Sequence, residues 1–145
     1  MPSSATPSQR LVRHADWPQR LALFVEQRRA TPFAWGAQDC CTFACDAVVH
    51  MTGADPMASL RHIATATAAR RLLKRIPLPI LAAQHLGPMQ TTAMAQRGDL
   101  LLLEQRGQHL LGVCLGHQWA APGHHGLVFG PMDGALGAWP IGRAE

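Results

Sequence analysis

Near Gly98 the apolar residues of this chain change their period, and that change constrains the fold more than any other feature. Ahead of it they recur at three-to-four spacing, which predicts helices. Behind it, residues 100–104, 110–115, 126–129 and 138–141 are short apolar runs set off by Gly, Pro, His and Gln, which predict strands with tight connections. Helices first and a small sheet second is an α+β order, most simply with an antiparallel meander. At 145 residues the chain has the size of one domain with a real core. We expect a flexible tail over residues 1–14 and a single domain over 15–145, with no internal repeat.

The first helix is expected over residues 17–29, with Asp16 and Gln19 as a capping box, Pro18 in the first turn and Thr31-Pro32 as the stop. A second begins at Asp39 or Cys40 and runs to about Met51, with Phe43, Ala44, Ala47 and Val48 on one face and Gly53 as its end. Asp55-Pro56 opens a short third helix, and residues 66–75 form an amphipathic fourth. Pro77 and Pro79 interrupt the chain before a helical turn closed by Gly87. Arg70, Arg71, Lys74 and Arg75 read as one solvated helix face. Nucleic-acid binding is not expected, because no aromatic residues interleave with them.

Only 15% of residues are charged against 48% hydrophobic, a lightly charged surface that suits a subunit of an assembly. The first ten residues lack the apolar core of a secretory signal, and no run approaches the ~20 apolar residues of a membrane span. Synthesis in a reducing cytoplasm is therefore expected, and Cys40, Cys41, Cys45 and Cys114 read as thiols. Adjacent Cys40 and Cys41 cannot bridge without strain. The spacing lacks the second Cys pair of a zinc site, so neither a metal nor a cofactor is expected.

Three of the four cysteines fall in FAWGAQDCCTFACDAV, residues 33–48. At a helix N-terminus the dipole and unpaired N–H groups stabilise a thiolate, which makes Cys40 a candidate nucleophile. Asp39 has an independent reason to precede it, as a helix cap. Trp35-Gly36 reads equally as a tight turn against the core, and Cys41, Cys45 and Cys114 as packing residues.

Phe33, Trp35, Gly36, Asp39, Cys40, Phe43 and Ala44 together resemble the nucleophile segment of the NlpC-like, papain-like cysteine peptidases. RGDLLLL at 97–103 is similar to that superfamily's strand-entry motif, and LLGVCLG at 110–116 to its next strand. WGAQDCCTFACDAVVHMTGADPMASLR resembles, more narrowly, a branch encoded among the tail genes of tailed bacteriophages and prophages. The resemblance implies a papain-like fold with N-terminal helices on a small antiparallel sheet. It also implies a virion location at the tail tip or baseplate after synthesis in the host cytoplasm, with other tail proteins and peptidoglycan as partners.

Where active members carry the catalytic His, this chain has Leu110, and the third polar group would fall near Ala121 or Pro122. The expectation is thus a structural pseudoenzyme of the tail. The alternatives are a working murein peptidase or amidase with Cys40 as nucleophile and His109 or His124 as base, and a cytosolic tail-assembly factor. His109 stands one residue early, so a bulge at Gly107-Gln108 would be needed to turn it to the face of residue 110. His117, His124 and His125 belong to loops, and His14, His50, His62 and His85 to helix ends or faces. Arg97-Gly98-Asp99 reads as turn chemistry at a strand entry.

Overall fold

The computed structural model describes residues 11–143. Among them are α1 (Trp17–Arg28), α2 (Cys40–Thr52), α3 (Ala66–Arg75) and α4 (Leu78–Leu86), followed by β1 (Leu100–Gln105), β2 (Gln108–Cys114), β3 (Gln118–Gly123), β4 (Gly126–Pro131) and β5 (Gly137–Trp139). The strands form one antiparallel sheet in the order β4-β3-β2-β1-β5. The fold is α+β.

Leu21 and Phe24 of α1 and Phe43, Ala44, Val48 and Met51 of α2 pack on one face of the sheet, against Leu100, Leu102, Leu111, Val113, Ala120 and Trp139. The other face carries Leu101, Leu103, Cys114, Ala121 and Ala138, covered by Leu110, Trp119, Met132 and Ala135. Burial on both faces is why residues 100–103 read as an unbroken run of leucines instead of an alternation.

Most helices begin and end where their punctuation falls. Gly53 takes φ +80 at the end of α2, a left-handed conformation that glycine adopts without penalty. The Asp16 cap does not form: its carboxylate binds Arg20 at 2.7 Å, four residues on, and makes no capping bond. The segment after Asp55-Pro56 is a single 3-10 turn, Ala58–Leu60, with Asp55 accepting from the Met57 N–H at 3.0 Å ahead of it. Pro79 does not interrupt: it lies in the first turn of α4, where its missing N–H costs nothing.

Two features of the sheet depart from expectation. QWAAPG was not expected as a strand, since it lacks an apolar run and ends in Pro-Gly, yet it forms β3 and pairs with β4 over six residues. The last strand does not extend the meander: β5 returns to the far edge and pairs with β1.

Residues 1–10 of the expected tail lie outside the described residues, and residues 11–14 belong to the fold. The His14 N–H donates to the Met51 carbonyl at 2.8 Å. Arg13 reaches Asp99, which is completely buried and also accepts from Arg143 and from the N–H groups of Gln96 and Ile141. Asp99 of the Arg-Gly-Asp triplet therefore fastens both ends of the domain to the entry of β1.

Candidate functional site around Cys40

The loop before α2 is organised by Asp39. Its carboxylate accepts from the Gly36 N–H at 2.7 Å, the Thr42 N–H at 2.9 Å and the Thr42 hydroxyl at 2.8 Å. Only 5% of Asp39 is exposed, so it is a buried helix cap whose two oxygens are both engaged by donors of its own loop and helix start. Gly36 is required twice: its φ is +80, and an added Cβ would lie 2.8 Å from the Ala64 Cβ. Trp35 does not anchor the turn in the core. It is 46% exposed and meets Phe33 edge to face at 4.9 Å between ring centroids. The Phe33 N–H donates to the Gly123 carbonyl at 2.9 Å, which ties this aromatic loop to the β3–β4 hairpin.

Cys40 is the first residue of α2 and sits half-buried over a gap between two strands. β2 and β3 pair only at Val113 with Ala120 and at Cys114 with Trp119. Continued, that register would set Leu111 opposite Pro122, which has no N–H to give, and the strands part there. The Leu111 backbone amide, left without a partner on β3 by this parting, is among the groups that lower the Cys40 pKa.

Cys40 is the one thiol of the four whose pKa falls below its ordinary value. The Cys41 S–H shared with its sulfur lowers it first, burial opposes, and the Leu111 and Cys41 backbone amides lower it further. Cys41 goes the other way, well above the usual range, because it keeps the shared proton and is itself buried. Burial pushes Cys45 up to about 12 and raises Cys114 as well. Of the four thiols, only Cys40 is shifted toward ionisation, and the other three are shifted away from it.

The residues in the expected places of the base and its orienting group do not face that thiol. Leu110 packs into the cluster on the sheet face away from α2, and so does Ala121. It is His109, not Leu110, that shares its side of β2 with Leu111 and Val113, the residues packed under α2. The expectation that His109 would point away from the thiol is therefore corrected, and no bulge is involved. The β1–β2 register is continuous to Gln105 and Gln108, closed by Arg106 at φ 53 and Gly107 at φ 77, a two-residue type I′ turn. His109 is exposed two residues beyond Leu111, about 7 Å along the strand. His124 and His125 are exposed at the tip of the β3–β4 hairpin, with ring centroids 6.3 Å apart. His117 lies in the β2–β3 turn at the other end of the sheet. His50 stacks on Phe24 and its Nδ1 pairs with the Asp46 carbonyl, a structural role.

Among the described residues the one histidine ring with a hydrogen bond is His50, to the Asp46 carbonyl, and none is hydrogen-bonded to Cys40. Nor do three or more His, Cys, Asp or Glu side chains among those residues group as metal ligands.

Sequence reasoning missed the network beside the site. Arg28 donates to Gln38 at 2.7 Å and to Asp46 at 2.6 Å, while Arg61 binds Asp46 and Asp55, each at 2.8 Å. It links α1, the loop before Cys40, α2 and the Asp55-Pro56 turn. The signal was present in the spacing of Asp46, Asp55 and Arg61, but charges so far apart do not announce their pairing.

No helix among the described residues is long and apolar enough to cross a membrane. A comparison with curated proteins finds no match. A family described as a domain of unknown function, DUF6950, matches residues 12–141, nearly the whole described fold from the Arg13 clasp through β5, and the chain belongs to that family.

Proposed function

We propose that this domain is a structural component of a tailed-bacteriophage tail tip or baseplate, with a papain-like, NlpC-like fold retained without the groups that turn over a substrate. The observation that carries the reading is what β2 presents on the side of α2: Leu111 and Val113 are apolar and buried in the core there, and His109, on the same side, is exposed about 7 Å further along the strand. Amide hydrolysis by a thiol needs a base to take its proton and an acid to return one to the leaving amine, and loss of that group costs orders of magnitude in rate. Asp39 is spent on its cap and supplies neither. The tail assignment is supported by the close resemblance of residues 35–61 to a tail-encoded branch of the superfamily. The exposed Trp35 beside Phe33 suits a protein contact. The test is mass spectrometry of tails purified from the phage or prophage that encodes the chain. The reading requires this chain at fixed stoichiometry, and its absence from finished tails would favour an assembly factor instead.

A second reading has its own support. The lowered pKa of Cys40 and the placement of His109 on the α2 side of β2 are what a murein peptidase or amidase would use, if the β1–β2 hairpin moved His109 inward over the thiol. Release of peptide fragments from purified peptidoglycan by the wild-type chain, and not by Cys40→Ala or His109→Ala, would establish it. Equal background release by all three would dismiss it.

A further inference from the structure

The net positive charge of the chain is not spread over its surface. Of the 13 Lys and Arg, four lie on α3, and the nine others equal the nine Asp and Glu in number, so this one ten-residue helix, which has no acidic residue, carries a charge equal to the formal +4 of the chain. The described arginines 13, 20, 28, 29, 61 and 143 each bind a carboxylate. Among the described residues, Arg70, Arg71, Lys74 and Arg75 bind none; Arg97, over the Trp17 ring, and Arg106, in the β1–β2 turn, bind none either, but each stands alone, whereas the four on α3 are clustered.

Those four side chains are exposed and fall within an arc of about 140° on the helix. Ala68, Ala69, Leu72 and Ile76, on the opposite side, are half-buried on the domain. Arg70 with Lys74 and Arg71 with Arg75 are like-charged neighbours one turn apart, and such pairs weaken a helix. α3 has little to offset this, since none of its residues is fully buried and its cap is a single bond from Ala68 N–H to Thr65 at 3.1 Å. A helix with a self-repelling, unneutralised face is completed by an acidic one.

We propose that the Arg70, Arg71, Lys74 and Arg75 face of α3 docks a carboxylate-rich helix of a protein partner. Guanidinium forks pair bidentately with carboxylates, and the i,i+4 rows on α3 match Glu residues spaced i,i+4 on a facing helix. A lipid surface fits less well, because Ala68, Ala69, Leu72 and Ile76 are half-buried on the domain and Leu73 is the one exposed large apolar residue of α3, too little to insert. Nucleic acid fits less well, because residues 60–87 contain no Phe, Trp or Tyr on which a base could stack. The inference does not rest on the tail reading and survives its failure.

The experiment measures binding of the full chain to a short helical peptide with Glu at i,i+4, to a peptide of the same composition with that spacing scrambled, to duplex DNA and to phosphatidylglycerol vesicles. The spaced peptide should bind best, weaken as salt rises, and lose about tenfold or more in affinity when all four cations become Gln, a change of about 1.4 kcal/mol or more. Carbodiimide should couple the peptide's carboxylates to Lys74, the only lysine in the chain. Because no α3 residue is fully buried, the Gln variant should keep the wild-type circular dichroism; if it does not fold, the salt series and the Lys74 cross-link on the wild type decide. Equal binding of the scrambled peptide, tighter binding of DNA or vesicles, or no binding of the spaced peptide would overturn the proposal.

Discussion

Replacing Asp99 by Ala removes a buried carboxylate that accepts four hydrogen bonds. Arg13 and Arg143 reach Oδ1 at 3.1 and 3.0 Å, the Ile141 N–H reaches it at 3.2 Å, and the Gln96 N–H reaches Oδ2 at 2.9 Å. The Arg13 side chain is only 7% exposed, so it stays buried without its counter-ion, whereas Arg143 at 21% can turn toward water. Leaving one buried charge unpaired costs about 3–5 kcal/mol, and the orphaned amides add to it with partial relaxation. We take about 4 kcal/mol for Asp99→Ala. At ~2–4 °C per kcal/mol for a domain of this size, Tm should fall by about 8–16 °C. Differential scanning calorimetry measures the fall directly, and urea titration should give an unchanged m-value, which marks lost stability and not a changed unfolded state. Asp133→Ala, at an exposed carboxylate without an ion pair among the described residues, serves as the control and should stay within about 0.5 kcal/mol of wild type. If Asp99→Ala costs no more than Asp133→Ala, the clasp joining residue 13 to residue 143 does not hold the fold as described.

Iodoacetamide at neutral pH should modify Cys40 ahead of Cys41, Cys45 and Cys114, with a rate that levels off at lower pH than for a free thiol; uniform labelling in peptide mass spectra would remove the case for a selected thiolate. Cys45, raised by burial from 9.0 to about 12, is protonated when folded and ionises first in the unfolded chain, so stability should be full below pH 9 and decline from about 9 to 12. Cys45→Ala should flatten that decline in a Tm series against pH, and an unchanged slope would exclude Cys45 as its source. Gly36→Ala should cost about 1–2 kcal/mol for the left-handed backbone alone, and more for the contact with Ala64, measured by urea denaturation. Leu110→His should leave peptidoglycan hydrolysis at background, because residue 110 is packed on the sheet face away from Cys40; gain of activity would mean that its side chain reaches the thiol.

The helices were legible where their ends are written locally: Gly53 after α2, Asp39 before it, and proline in the first turn of α1; the start of α4 was not, because Pro79 read as a break and not as a first-turn residue. β3 was not legible, because its residues are small and its stability comes from neighbours, with Ala120 and Ala121 packed on opposite faces and Trp119 lying over Gly130. The place of β5 at the far edge is a matter of tertiary pairing that no local pattern encodes. At the site, Cys40 and its cap could be read from residue order, because a helix start is a local event. The side of the sheet on which Leu110 and His109 fall could not, since it depends on which face of β2 the helices cover and on a turn, Arg106-Gly107, that lacks the usual Asn-Gly signature. The parting of β2 and β3 had a visible cause in Pro122, but only the strand pairing gives that proline its meaning.

The central claim is the proposal that this domain keeps a thiol site in a phage tail without depending on thiol chemistry. Its most direct test is to place Cys40→Ala in the encoding phage or prophage, then measure both the amount of the chain in purified tails and the plating efficiency of the particles. The account predicts wild-type amounts of the chain and wild-type plating. Tails that carry the variant chain in full amount yet fail to infect would contradict it and make Cys40 a working nucleophile.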